Sequence, residues 1–464
     1  MPRPYKSLAL CFDGTWNTLD SNTNVSRLYS EVADVSTGWD EQLKFYDEGV
    51  GTQWYDRIRG GAFGAGLDKN IRMGYAWLCS VFESAAADAP IATQDGNATR
   101  KSNGDLINAP PHSSKREFLT GSDIYIFGFS RGAFTARSLG GMINYLGLPK
   151  IDLAKIDPEK TELADHPEIQ NAWNLYATRP GTDVRKQIKD GSAPESVKSL
   201  VAKYDKQLEA FRTAAGNRYP VRIHFMGVWD TVGALGIPRI FDKDWIPRFS
   251  SKYQFHDTAL CEGIRNAFHA VAIDEQRLPY KATLWTEKQV LNEQVEQRWF
   301  PGAHADVGGG YKDDLLPAPP LKWLADQAAA CGLQFVNDRK TVGPNGKPLP
   351  SVAVAPAAFN LDGNEYLSPV HDSYAEFFGG VYRAVRSVPG MGGRVYRRML
   401  VLSDGINQKI DETAFLKWKA DPEYRPPNLG QAGRADVTFN VARDDLGNPM
   451  SSASLPVAER PGRA

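Results

Sequence analysis

Residues 122–148, SDIYIFGFSRGAFTARSLGGMINYLGL, decide the fold. Asp123 to Phe127 reads as a buried strand, and beyond it the period of the apolar residues changes. Ala133, Ala136, Leu139, Met142, Ile143 and Leu146 recur at helical spacing and mark one face of a helix. Between the two lies Gly128-Phe129-Ser130-Arg131-Gly132, a G-x-S-x-G pattern. On a strand-to-helix turn this pattern strains the serine so that its hydroxyl projects above the sheet. The flanking glycines are small because strand and helix approach closely there. The Arg131 N–H, opening the helix, is then aimed where an oxyanion would form.

Further apolar runs of strand length lie outward from this stretch, at Ser7 to Phe12, Leu43 to Tyr46, Val221 to Val228 and Gln294 to Phe300. Each ends in turn-forming or acidic residues and is followed by a helix-like segment. This is the pattern of an α/β fold, an α/β-hydrolase-like, mostly parallel sheet flanked by helices. In such sheets ligands sit beyond the carboxyl ends of the strands. Chemistry is therefore sought in the residues that follow each run.

A serine hydroxyl is a weak nucleophile without an oriented base, so the elbow calls for an acid and a histidine downstream, in the order Ser, acid, His. GVWDTVGA places Asp230 just past one strand, and WFPGAHADVGGGY places His304 in a glycine-rich loop past another. Ser130, Asp230 and His304 are the expected catalytic residues. His371 competes for the base, and Asp306 for the acid, although Asp306 is better suited to ordering the DVGGG loop. His224, within a strand, and His269, in a helix-like stretch, read as core residues. The second oxyanion donor is expected from CFDGTWNT, where Gly14, Thr15 and Trp16 offer backbone N–H groups braced by Asp13; a structural Asx-turn is the alternative there.

Composition sets the class. The chain has 464 residues, 42% apolar and 23% charged, which is average globular usage. With 54 basic and 55 acidic residues the formal charge is −1, so no global basic field gathers nucleic acid or an anionic membrane. No run approaches the roughly 20 apolar residues that span a bilayer. The N-terminus lacks the long apolar region of a secretory signal, so the chain reads as cytoplasmic in the producing cell. Cys11, Cys79, Cys261 and Cys331 are scattered, indicating neither a disulfide framework nor a zinc site. No cofactor and no metal is expected.

Between the elbow and the next strand, at about residues 149–219, helical signals take over. Val197, Leu200, Val201, Tyr204, Leu208 and Phe211 fall on one face of an amphipathic helix. An insertion there is expected to form a helical cap over the site, with ordinary packing helices as the alternative. Gly60, Gly61, Gly64 and Gly66 crowd the start of another helix, in a spacing that fits neither phosphate-binding fingerprint and reads as close packing or a mobile loop. Residues 89–115 and 341–356 read as polar or Pro/Gly-rich loops. The expected division is one catalytic domain, 1–433, and a polar tail, 434–464.

FDGTWN, YDEGVGT, GFSRGAFTAR, GVWDTVGA, AVAIDEQR, WFPGAHADVGGGY and YRPPNL lie in order from about residue 7 to about residue 430. Together they resemble a bacterial and fungal family whose best-known members are the type VI secretion phospholipase effectors of the first class. The resemblance implies an α/β-hydrolase catalytic domain, a Ser-Asp-His triad on Ser130, Asp230 and His304, and hydrolysis of glycerophospholipid acyl esters. It also implies a cap that meets the membrane surface, export by type VI secretion, and a secretion-tip or immunity protein as partner. In the AVAIDEQR block, Asp274, Glu275 and Arg277 read as an ion-paired structural cluster. Two other functions fit the residues. One is a metal-dependent phosphoesterase using Asp13, Asp230, His304 and Asp306 as ligands. The other is a non-catalytic relative that binds a partner through its helical insertion.

Overall fold

The computed structural model describes residues 6–14, 17–34, 41–49, 62–84, 118–119, 121–151, 162–214, 216–233, 259–277, 280–312, 315–336, 359–376, 397 and 405–431. Thr15, Trp16, Gly60, Gly61, the loops at 89–115 and 341–356, and the tail from 434 fall outside them.

Seven strands form one sheet in which every pairing is parallel: β1 (Ser7–Phe12), β2 (Gln42–Asp47), β3 (Asp123–Phe129), β6 (Ile223–Trp229), β7 (Ile264–Ala272), β8 (Gln294–Phe300) and β9 (Gln408–Ile410). Their order is β2-β1-β3-β6-β7-β8-β9. Two short strands, β4 (Leu148–Pro149) and β5 (Asn217–Arg218), pair antiparallel outside it. The all-parallel sheet agrees with the α/β reading of the sequence.

Side chains alternate across the strands, so each strand feeds two cores. Leu8, Leu10, Phe12, Ile124 and Ile126 face one layer, built from α2 (Ala62–Val81) and α3 (Arg131–Leu146). Ala9, Cys11, Tyr125, Phe127 and Phe129 face the other, covered by α1 (Asn24–Glu31) and α8 (Ala318–Ala330). Burial on both faces explains why these strands read as continuous apolar runs.

β7 was not among the expected strands, and His269 lies in its centre, not in a helix. Its sequence IRNAFHAVA carries Arg265, Asn266 and His269 among small residues, which hides the strand pattern. The buried His269 is satisfied in place: its Nε2 accepts the Thr231 N–H at 3.1 Å and its Nδ1 lies 3.3 Å from Gln297 Oε1.

The insertion contains α4 (Pro167–Ala177), α5 (Thr182–Lys189) and α6 (Glu195–Arg212), with β4 and β5 pinching its ends together. Ile169, Ala172, Tyr176, Tyr204 and Leu208 enter the α2/α3 core, whereas Leu200, expected on the same face, is 69% exposed. Arg212 bonds the Tyr145 carbonyl, and the Tyr176 hydroxyl abuts Gly141. Gly141 is about three helical turns from Ser130. The described helices of the insertion pack on the α2/α3 layer. Among the described residues no helix is long and apolar enough to cross a membrane.

Candidate active site

The chain leaves β1 toward β2 and then returns to the other side of β1 for β3, so the strand order reverses between β1 and β3. A crevice opens beyond the carboxyl ends at such a point. Ser130 is the first residue past β3 and Asp13 the first past β1.

Ser130 has φ 59° and ψ −120°, the left-handed strain expected of the elbow. Neighbouring glycines make the turn possible. A Cβ on Gly132 would lie 2.1 Å from the Phe12 carbonyl oxygen, and one on Gly128 2.5 Å from the Gly132 oxygen. Asp230, the first residue past β6, also has positive φ, at 39°. Because Phe129 and Trp229 are register partners, the two strained residues emerge side by side.

His304 arrives from the loop after β8 as the first residue of α7 (His304–Gly308). Its Nε2 lies 2.7 Å from Ser130 Oγ and its Nδ1 2.6 Å from Asp230 Oδ2. A carboxylate accepts only, so the partners assign the proton to Nδ1 and leave the Nε2 lone pair facing the serine hydroxyl. Phe129 and Tyr280 flank the imidazole at 4.7 and 4.9 Å between ring centroids. All three chain members are buried.

Burial raises the cost of ionising Asp230, but the Arg397 guanidinium and His304 reverse this and hold its carboxyl well below the usual carboxylate range. Burial likewise pushes His304 below its usual 6.5, against the opposing pull of Asp230. Asp230 is thus ionised and His304 neutral near pH 7, the states a relay needs.

The loop carrying His304 is fixed from several sides. Glu275 Oε2 accepts the His304 N–H at 3.3 Å while it also pairs with Arg277 at 2.7 Å. Asp274 accepts the Gly302 N–H at 2.7 Å and the Tyr424 hydroxyl at 2.9 Å. Of the AVAIDEQR block, Glu275 and Arg277 form an ion pair as read from the sequence, whereas Asp274 braces the histidine loop through neutral donors and has no salt bridge among the described residues.

The rivals lie elsewhere in the network. His371 Nδ1 is 2.6 Å from Asp306 Oδ1, and its ring stacks on Tyr311. Asp306 also accepts the Ala303 N–H at 2.8 Å, so it orders the loop and meets His371, not His304. Asp13 accepts from Gly14 N–H, Asn17, Thr23 and Tyr46 at 2.5 to 3.3 Å. The four side chains of the metal reading thus split into three separately bonded groups: Asp13, the Asp230–His304 pair, and Asp306. Among the described residues no three His, Cys, Asp or Glu side chains gather as a metal site.

Gly14 departs from expectation. Its N–H donates to Asp13 Oδ1 at 2.6 Å, which turns it away from an oxyanion, although a Cβ there would lie 3.4 Å from Ser130 Cβ. The loop does adjoin Ser130. Thr15 lies outside the described residues. Arg131 opens α3 beside Ser130, as the elbow requires.

Arg397 escaped the sequence reading. Its guanidinium grips Asp230 through both nitrogens, Nη1 to Oδ1 at 2.5 Å and Nη2 to Oδ2 at 2.9 Å. A lone arginine far downstream, with no local pattern, carries no sequence signal for this.

The sequence model of the family described as "T6SS, Phospholipase effector Tle1-like, catalytic domain" matches residues 6–327. An uncharacterized protein of Saccharomyces cerevisiae, YEL023C, is 26% identical over 284 residues, which are 61% of this chain and 33% of that protein. The chain therefore spans about a third of that relative's length. Two solved structures are similar at 17% identity. One, an uncharacterized protein from Pseudomonas aeruginosa, has a TM-score of 0.36 over 72% of this chain and 47% of its own. The other, the Tle1 effector bound to the VgrG spike of the type VI secretion system, has a TM-score of 0.29 over 67% and 52%. Since the family match runs from before β1 through most of α8 and takes in Ser130, Asp230 and His304, the chain belongs to the Tle1-like catalytic-domain family of type VI secretion phospholipase effectors.

Proposed function

We propose that the chain is a serine hydrolase that cleaves carboxylic esters, and lipid acyl esters of the phospholipase A kind in particular. The observation that carries this is the buried run from Ser130 Oγ through His304 to Asp230, at 2.7 and 2.6 Å. Family membership supports the lipid substrate.

In this reading His304 Nε2 takes the Ser130 proton as Oγ attacks the ester carbonyl carbon. The carbonyl π electrons move to oxygen, and the Arg131 N–H at the start of α3 is the proposed donor to that oxyanion, with the Thr15 region as the source of a second. Collapse expels the alcohol, which leaves with the proton from His304, and an acyl ester remains on Ser130. Water then attacks the acyl-enzyme, giving its proton to His304. The fatty acid departs and the serine is restored. Asp230 holds the imidazole tautomer and balances the transient imidazolium.

The reading extends to the chain as residues 1–433 acting as one catalytic domain, with 434–464 as a tail. Export by type VI secretion and a secretion-tip partner belong to the same proposal and rest on the family alone.

The test is fatty-acid release from vesicles of phosphatidylethanolamine and phosphatidylglycerol by the full chain and by Ser130→Ala. Wild type should release fatty acid and lysolipid, and the variant should lose several orders of magnitude in turnover with its fold intact. Comparable activity in the variant, or release of a phosphorylated headgroup instead, would overturn the proposal.

A further inference from the structure

The Asp230 carboxylate takes part in four hydrogen bonds, with three residues from separate parts of the chain. His304 meets Oδ2, the Ala272 N–H meets Oδ1 at 2.9 Å, and Arg397 spans both oxygens. Arg397 is itself buried, and donates further to the carbonyls of Ala272 at 3.0 Å and of Tyr280. Tyr280 is the residue whose ring stands edge-on to His304. One guanidinium thus fixes the plane of the carboxylate and the backbone that carries a wall of the imidazole pocket. A planar fork suits this task, since two parallel bonds set orientation as well as distance.

Arg397 lies well beyond residue 327, where the family match ends. Other residues from the same late part of the chain hold the same loops. His371 meets Asp306, Ser373 Oγ meets Glu275 at 3.1 Å, and Asn428 meets the Ile273 carbonyl at 2.8 Å.

We propose that Arg397 is a positioning residue for the reaction, acting through Asp230, and that the chain beyond the family match is thereby part of the catalytic unit. The proposal rests on the serine-hydrolase reading of Ser130, Asp230 and His304. Two effects follow from the geometry. The fork fixes the carboxylate that aims His304, and its positive charge offsets the carboxylate charge felt by the imidazole. Asp230 itself faces His304 and Arg397, with His269 from β7 behind it. His304 faces Asp230, the Glu275–Arg277 ion pair, Ser130 and Tyr280. Loss of the Arg397 charge leaves the imidazolium less repelled, so His304 would hold its proton to higher pH.

The experiment compares full-length wild type, Arg397→Met, Arg397→Lys and Ser130→Ala on a soluble short-chain p-nitrophenyl ester, with kcat and KM followed against pH. Arg397→Met should lower kcat by on the order of 100-fold through misaimed His304. KM should stay within about threefold, and the acid limb should move up by roughly one pH unit. Arg397→Lys keeps a charge but not the fork, so its limb should stay near wild type while kcat recovers only in part. A Met variant with an unmoved limb, or identical Met and Lys profiles, would overturn the proposal. If Arg397→Met does not fold, the Lys variant decides: reduced kcat at constant KM supports it, and wild-type kcat overturns it. Inactive Ser130→Ala beside normal Arg397 variants removes the Arg397 proposal alone; active Ser130→Ala removes the hydrolase reading beneath it.

Discussion

Gly132→Ala and Gly140→Ala place the same methyl group at two points of α3, and the structure separates their outcomes. At Gly132 the added Cβ would lie 2.1 Å from the Phe12 oxygen and 2.4 Å from the Asp13 oxygen. Both are backbone atoms at the end of β1 and cannot rotate away. Restoring ordinary contact requires the start of α3 to move from β1 by about 1 Å, and overpacking of this kind costs roughly 1–3 kcal/mol. Helix propensity returns at most about 1 kcal/mol. Ser130 sits two residues before the methyl group, so the nucleophile moves with the helix, and a displacement near 1 Å costs on the order of 100-fold in rate. At Gly140 the nearest atom is the terminal methyl of Met226 at 2.8 Å, the free end of a flexible side chain. Calorimetry and the rate of Ser130 labelling by a fluorophosphonate read both effects. Gly132→Ala should lower Tm and slow labelling, while Gly140→Ala should label at nearly the wild-type rate. Equal labelling by the two variants would refute the argument that the β1–α3 contact sets the elbow.

Three further outcomes follow from the site. His304→Ala should abolish ester turnover, whereas His371→Ala should cost far less, because His371 bonds Asp306; steady-state rates of the two variants decide, and the reverse ranking contradicts the assignment. Burial lowers the His304 pKa, and the base must be neutral, so the acid limb of kcat/KM should have its midpoint below the usual 6.5; a midpoint above that value speaks against it. Asp274 is pushed up by burial to about 6, so its contribution to stability is full below 3.8 and is lost as pH rises through about 6. Both of its donors meet Oδ2, which an amide oxygen can replace, so Asp274→Asn should flatten the fall in stability between pH 4 and pH 7, measured by denaturant unfolding.

The sequence exposes the parts of this fold whose cause is local. β1 and β8 run over the residues their apolar runs mark, and α3 buries the apolar face that its spacing defines. The glycines at 128 and 132 are visible as a pattern because close approach leaves no room for a side chain. Features whose cause is distant stay hidden. β7 is a strand because β6 and β8 pair with it on both sides, which overrides the helix-like look of its small and polar residues. β9 is only three residues long, too short for a pattern to show. The helices at 167–212 are evident from their amphipathic spacing, but the layer they join is set by Tyr145, Gly141 and Tyr176. In the site, Ser130, Asp230 and His304 each follow a strand, so position alone brings them into view. Arg397 becomes visible only when its guanidinium is seen on Asp230, 167 residues away in sequence.

In the proposed reaction Ser130 Oγ is the nucleophile and His304 activates it. Mass-spectrometric mapping of a fluorophosphonate adduct, on wild type and on His304→Ala, measures this directly. Wild type should carry a single adduct, on the peptide containing Ser130, and His304→Ala almost none. An adduct on another residue, or equal labelling without the imidazole, would contradict it.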